Sequence, residues 1–110
     1  MRLAVCLTLG LAAPASAELD MQSLRYACDR GVEVPVTYVN GAEGSVVVLN
    51  VEGQQISLVS DAAASGARYG WPSGGSSYVW WSKGETATLY WRDGAAGTET
   101  AVLKDCRTKE

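Results

Sequence analysis

Histidine is absent from this chain of 110 residues. That removes at once the commonest general base and the commonest metal ligand. Long apolar runs are scarce too. The one near the start, Leu3 to Ala13, falls short of the roughly 20 residues that a membrane-spanning helix needs, and no second run of that length follows. Cysteine is confined to Cys6, Cys28 and Cys106, which leaves no zinc site once two of them pair. Basic residues number 9 against 12 acidic ones, for a net charge of −3. Phosphate backbones are bound through a basic stripe, so this balance argues against nucleic acid as a partner. Neither S-x-x-K spacing nor a strand-to-helix nucleophile elbow occurs. Together these absences point away from an enzyme and imply no metal or other cofactor.

What is present begins with a leader. Residues 1–17 carry Arg2, the apolar run, and then Pro14-Ala15-Ser16-Ala17. This is the layout of a secretory signal peptide, with cleavage expected after Ala17 and a single domain over 18–110. A lipid-anchor cysteine would directly follow the apolar run, whereas Cys6 stands near its start. Lipidation is therefore not expected. Export leaves Cys28 and Cys106, one near each end of the domain. An oxidising compartment permits them one intramolecular disulfide, with two free thiols or an intermolecular bridge as the alternatives. Losing the leader removes Arg2 and no acid, so the net charge moves from −3 to −4. An acidic surface suits a basic protein partner, which it would steer in at low salt.

The rest reads as strands and turns. Val32, Val34, Val36 and Tyr38 alternate with polar residues or proline, the pattern of a half-buried strand. Asn40-Gly41 is a strong turn signal. Ser45 to Val51 is a β-branched run, Glu52-Gly53 a turn, and Gln55 to Val59 alternates again with Ile56 and Leu58 on one side. Tyr78 to Trp81 is short and aromatic. Ala87, Leu89 and Trp91 alternate with Thr86, Thr88 and Tyr90; Asp93-Gly94 turns the chain, and Thr100 to Leu103 leads to Cys106. Leu24 to Cys28 supplies a possible first strand. No window supports a three-turn amphipathic helix. Seven or eight short strands point to an all-β fold, a small antiparallel barrel or sandwich. Gly70 to Ser77 reads as a mobile glycine- and serine-rich loop.

Two segments hold the candidate chemistry. Ser65-Gly66-Ala67-Arg68-Tyr69 follows three alanines, and Lys83-Gly84 follows Trp80-Trp81-Ser82. A lysine whose pKa burial has lowered can activate a serine, yet Lys83 beside Gly84 reads as an exposed hairpin turn. Plain turn residues are the simpler account of both. Trp71, Trp80, Trp81 and Trp91 admit another class of function, a module that binds peptidoglycan or another carbohydrate through exposed indoles.

In their order these segments resemble the bacterial inhibitors of c-type lysozyme. Tyr26-Ala27-Cys28 opens the match, followed by Val36-Thr37-Tyr38-Val39-Asn40-Gly41. Ser65 to Tyr69 reproduces that family's S-G-x-x-Y stretch, Ser82-Lys83-Gly84 its T-K-G stretch with serine for threonine, and Cys106 closes the domain. The resemblance implies a barrel of about eight antiparallel strands and a periplasmic inhibitor whose partner is a c-type lysozyme. It also implies that Ser65, Gly66, Tyr69, Lys83 and Gly84 form two adjacent loops entering the enzyme's cleft. Ser65 and Lys83 then face the catalytic carboxyl groups, Tyr69 braces its loop, and Arg68, Trp71 and Trp80 are candidates for the rim.

Overall fold

The computed structural model describes residues 18–109. The expected signal peptide, with Cys6 and the Ala17 cleavage point, lies outside the described residues. Eight strands follow one another: β1 Asp20–Ala27, β2 Glu33–Gly41, β3 Gly44–Val51, β4 Gln54–Asp61, β5 Ala67–Gly70, β6 Ser77–Lys83, β7 Thr86–Asp93 and β8 Thr98–Thr108. Each pairs antiparallel with the next, and β8 returns to β1 through Tyr26 opposite Thr108 and Ala27 opposite Arg107. The result is a closed up-and-down barrel, sealed between first and last strand by that short ladder. A single 3-10 turn, Asp29–Gly31, joins β1 to β2.

Alternation explains the core. Val34, Val36 and Tyr38 on β2 point inward with Val47, Leu49 and Val51 on β3 and Leu58 on β4. Tyr69, Trp80, Ala87, Leu89 and Leu103 complete the interior from β5 to β8. Full burial of each valine or leucine contributes about 1.5–3 kcal/mol. The larger side chains carry polar tips that must be satisfied inside. Trp80 Nε1 donates to the Tyr38 hydroxyl at 2.9 Å, and the Tyr38 and Tyr26 hydroxyls bond at 2.8 Å. Tyr26 meets the Trp80 ring edge-on at 5.1 Å. Burial, then the bond to Tyr38, holds the Tyr26 hydroxyl well above the ordinary phenol range.

Cys28 and Cys106 form a disulfide across 78 positions of sequence. It ties the exit of β1 to the last strand, beside the pairing that closes the barrel.

Three sequence expectations need correction. Asn40-Gly41 is not the turn: Gly41 pairs with Gly44 and the chain reverses at Ala42-Glu43. The register is set by the inward row of Val36, Tyr38, Val47 and Leu49, because a one-residue slip would turn that row to solvent. Trp80 is not a rim residue but is 0% exposed at the centre of the core. The Gly70 to Ser77 segment is shorter as a loop than expected, since Gly70 ends β5 and Ser77 begins β6. Nor does it hang free. Ser76 Oγ accepts the Gly94 N–H at 2.9 Å, and a Cβ on Gly94 would sit 2.8 Å from the Gly75 carbonyl carbon.

Candidate functional site

The meander puts the β2–β3 turn, the β4–β5 loop at 62–66 and the β6–β7 turn at one end of the barrel. The last two carry Ser65-Gly66 and Lys83-Gly84. β5 and β6 are neighbours, with Ala67 opposite Ser82, so the two segments necessarily meet at the top of that strand pair.

They meet closely. Gly66 has φ +70, and a Cβ built on it would stand 2.4 Å from the Ser82 carbonyl oxygen and 2.7 Å from Lys83 Cγ. Only glycine both adopts that conformation without strain and leaves the space. Gly84 has φ +59 at the first central position of a two-residue hairpin turn, where glycine is favoured. Thr86 Oγ1 donates to the Lys83 carbonyl at 3.0 Å and steadies the turn. Ser65 and Lys83 are exposed.

Beneath them lies Trp81. Its Nε1–H donates to the Ser65 carbonyl at 2.9 Å. The Lys83 ammonium sits 4.6 Å from the centre of the same ring, and the Arg68 guanidinium 5.1 Å from it. Arg68 is in turn ion-paired with Glu99, which also accepts from Arg92 Nε at 3.2 Å. Arg92 continues to Asp61 at 3.4 Å, and the Asp61 carboxylate accepts the Ala62 N–H at 2.8 Å. The 62–66 loop is thus held at its entrance by Asp61 and at its exit by Arg68. Burial raises the Glu99 pKa, but the bonds and charges of Arg68 and Arg92 outweigh it, so Glu99 ionises below the usual carboxylate range.

Tyr69 is 5% exposed, its ring 5.8 Å from that of Tyr38 inside the barrel. Burial raises its hydroxyl pKa. A side chain so placed fixes β5 from below and does not reach outward past the loop. Lys83 is exposed, so it lacks the burial that a serine-activating lysine requires. The four tryptophans do not share a face: Trp80 is interior, Trp81 lies under the loops, and Trp71 and Trp91 are 47% and 42% exposed. Among the described residues no three His, Cys, Asp or Glu side chains cluster as a metal site would require.

Sequence reading brought the two loops together but missed what supports them. The Arg92–Glu99 pair was accessible, because those residues face each other across the β7–β8 hairpin. The Arg68–Glu99 pair was not, since β5 and β8 are not neighbours.

Residues 26–97 match the model of a family described as membrane-bound lysozyme-inhibitor of c-type lysozyme. A membrane-bound lysozyme inhibitor of C-type lysozyme from Cupriavidus necator is 37% identical over 91 residues, covering 82% of this chain and 68% of the relative. One from Pseudomonas aeruginosa is 39% identical over 87 residues, covering 76% and 65%. The chain thus spans about two thirds of these relatives' length. It also resembles the crystal structure of Pseudomonas aeruginosa MliC in complex with hen egg white lysozyme, at TM-score 0.64 and 30% identity over 96% of this chain and 99% of that one. A periplasmic lysozyme inhibitor of C-type lysozyme from Salmonella typhimurium shares the fold at TM-score 0.68 and 24% identity, over 83% of this chain and 100% of that one. The chain belongs to the family of membrane-bound lysozyme-inhibitors of c-type lysozyme.

Proposed function

We propose that this protein inhibits c-type lysozymes by inserting the Ser65-Gly66 and Lys83-Gly84 loops into the enzyme's active-site cleft. The observation that carries the reading is the close approach of the two loops at one barrel end, each with an exposed polar residue, Ser65 on one and Lys83 on the other. Family membership supplies the enzyme class. A retaining glycosidase holds one carboxyl protonated and the other ionised. Lys83 suits the ionised one through a charge-assisted bond in a cleft emptied of water. Ser65 suits a carboxyl in either state, because a hydroxyl both donates and accepts. Gly66 and Gly84 add no side chain that would hold the loops out of the cleft. Tyr69 serves by bracing β5.

The protein acts in the cell envelope, in the periplasm after removal of residues 1–17 and without a lipid anchor. The relatives' membrane-bound designation is in keeping with the envelope, and among the described residues no helix is long and apolar enough to cross a membrane. The test is lysis of bacterial cell walls by hen egg white lysozyme with and without the purified protein. Dose-dependent slowing is expected. Undiminished lysis at a large molar excess overturns the reading.

A further inference from the structure

Trp81 is an indole without a core to fill. The neighbouring Trp80 points into the barrel, and alternation turns Trp81 to the outer face, half-buried between Arg68 and Lys83. A large apolar ring on the outside of a closed barrel has no packing demand from within. Besides the Tyr90 ring, 6.4 Å away on β7, what it contacts is the candidate site. Its N–H is bonded to the Ser65 carbonyl, and its ring carries the Lys83 ammonium.

We infer that Trp81 is the positioning residue of the site, one rigid side chain that sets the spacing between the Ser65 turn and the Lys83 ammonium before any partner arrives. The inference rests on the inhibitor reading above and names the device that makes the two loops act together.

Three features of the geometry support it. Between its tethers at Asp61 and Arg68, the stretch Ala62 to Ser65 that carries the Ser65 turn is exposed. The Trp81 bond reaches it at the residue just before the close approach of Gly66. Second, Lys83 stands two residues beyond Trp81 on the same face of β6, and its ammonium sits over the ring. A long flexible side chain held in one arrangement loses less entropy on binding. Third, Arg68 lies directly across from Trp81 in the β5–β6 register and is fixed by Glu99. The ring therefore has a fixed neighbour at its flank and cannot swing away from the loops without breaking that contact. The cation–ring contact is an attraction, yet it is weak enough at an exposed site for a desolvated carboxylate to compete for the ammonium.

The test separates the two things Trp81 does. Trp81→Phe keeps a ring face and loses the N–H; Trp81→Leu loses both. Removing one net hydrogen bond weakens inhibition of hen egg white lysozyme by about 3- to 10-fold. Removing the ring face as well brings the loss to about tenfold or more. Each variant is also made in the Lys83→Ala background. If Trp81 acts through Lys83, Trp81→Leu costs distinctly less there than in the parent. Equal costs in both backgrounds overturn the inference, because a merely structural tryptophan gives additive losses. Thermal melting identifies any variant that fails to fold. A second readout needs no lysozyme: the ε-methylene protons of Lys83 in the free protein, measured by NMR, shift upfield under the indole and return in Trp81→Leu. Unshifted protons in the parent overturn the inference whatever the inhibition assay gives. A parent that leaves lysis untouched while those protons are shifted overturns the inhibitor reading and keeps the clamp.

Discussion

Glu99 on β8 is ion-paired with Arg68 on β5, across two intervening strands and 31 positions of sequence. The same carboxylate accepts from Arg92, and Arg92 reaches Asp61. Isolated surface pairs contribute little, about 0–1 kcal/mol, but a shared carboxylate between two guanidinium groups constrains geometry as well as charge. Here the constraint falls on both ends of the 62–66 loop.

Stability should therefore fall in acid. In the folded protein Glu99 ionises below the usual carboxylate range. A carboxylate with a depressed folded pKa stabilises above its unfolded pKa and loses that contribution as pH falls through the folded one. Glu33, bonded to Lys109 and near Arg25, is shifted the same way. Thermal melting between pH 7 and pH 3 should show a midpoint that holds down to about pH 5 and then drops. Glu99→Gln should flatten part of the drop, and an identical pH profile in that variant contradicts the assignment.

At neutral pH, Glu99→Gln should cost about 1–2 kcal/mol of stability, since hydrogen bonds to charged groups are worth about that much and both arginines keep some solvent. Chemical denaturation measures it. Inhibition of lysozyme should weaken in the same variant, because the loop exit at Arg68 loses its tether. Full inhibition with lowered stability would show that the network supports only the barrel.

Gly66 and Gly84 both have positive φ, and they should respond differently to alanine. Gly84→Ala meets open space and incurs only the left-handed strain, about 1–2 kcal/mol. Gly66→Ala incurs that strain and a collision with the Ser82 carbonyl and the Lys83 side chain. It should separate the loops and abolish most inhibition, where Gly84→Ala should weaken it modestly. Equal losses in parallel inhibition assays would contradict the close approach.

The barrel itself was legible because it rests on alternation, which a sequence displays. Val34, Val36 and Tyr38, or Ala87 and Leu89, show their inward face directly. The misreadings have physical causes. In Tyr78-Val79-Trp80-Trp81 every residue is apolar, so no polar partner marks the outer face, and only pairing with β5 and β7 places Trp80 inside. β5 has four residues and one strong strand former, Tyr69. It exists because β4 and β6 offer it two edges at once, a demand that no local pattern reveals. The site divides the same way. Glycine and turn chemistry announce the loops, while Trp81, Arg68 and Glu99 are joined only by the closed fold.

The disulfide should contribute about 2–5 kcal/mol, because it closes a long loop in a small domain. Cys28→Ser with Cys106→Ser should lower the denaturation midpoint accordingly and leave inhibition intact under native conditions. The bond lies beside the β1–β8 closure, with two strands between Cys106 and Ala67 at the exit of the 62–66 loop. Variants of parental stability would show that closure of the barrel needs no staple.

Truncating the two presented groups tests the proposed chemistry most directly. If Lys83 meets an ionised carboxylate inside the cleft, Lys83→Ala removes a charge-assisted bond and leaves that carboxylate desolvated without its partner. Such truncations cost about 2–5 kcal/mol when the pair is buried. Ser65→Ala removes one hydroxyl contact and should cost less, about 1–3 kcal/mol, the penalty of a buried acceptor left unpaired. The two losses should not add, because both groups face one pair of carboxyls and share the Trp81 support. Neither should shift the melting temperature much, since both residues are exposed and outside the core. The measurement is the inhibition constant toward hen egg white lysozyme for each single variant and for the double, with melting as the control. Single variants that fold and inhibit like the parent would remove these loops from the cleft.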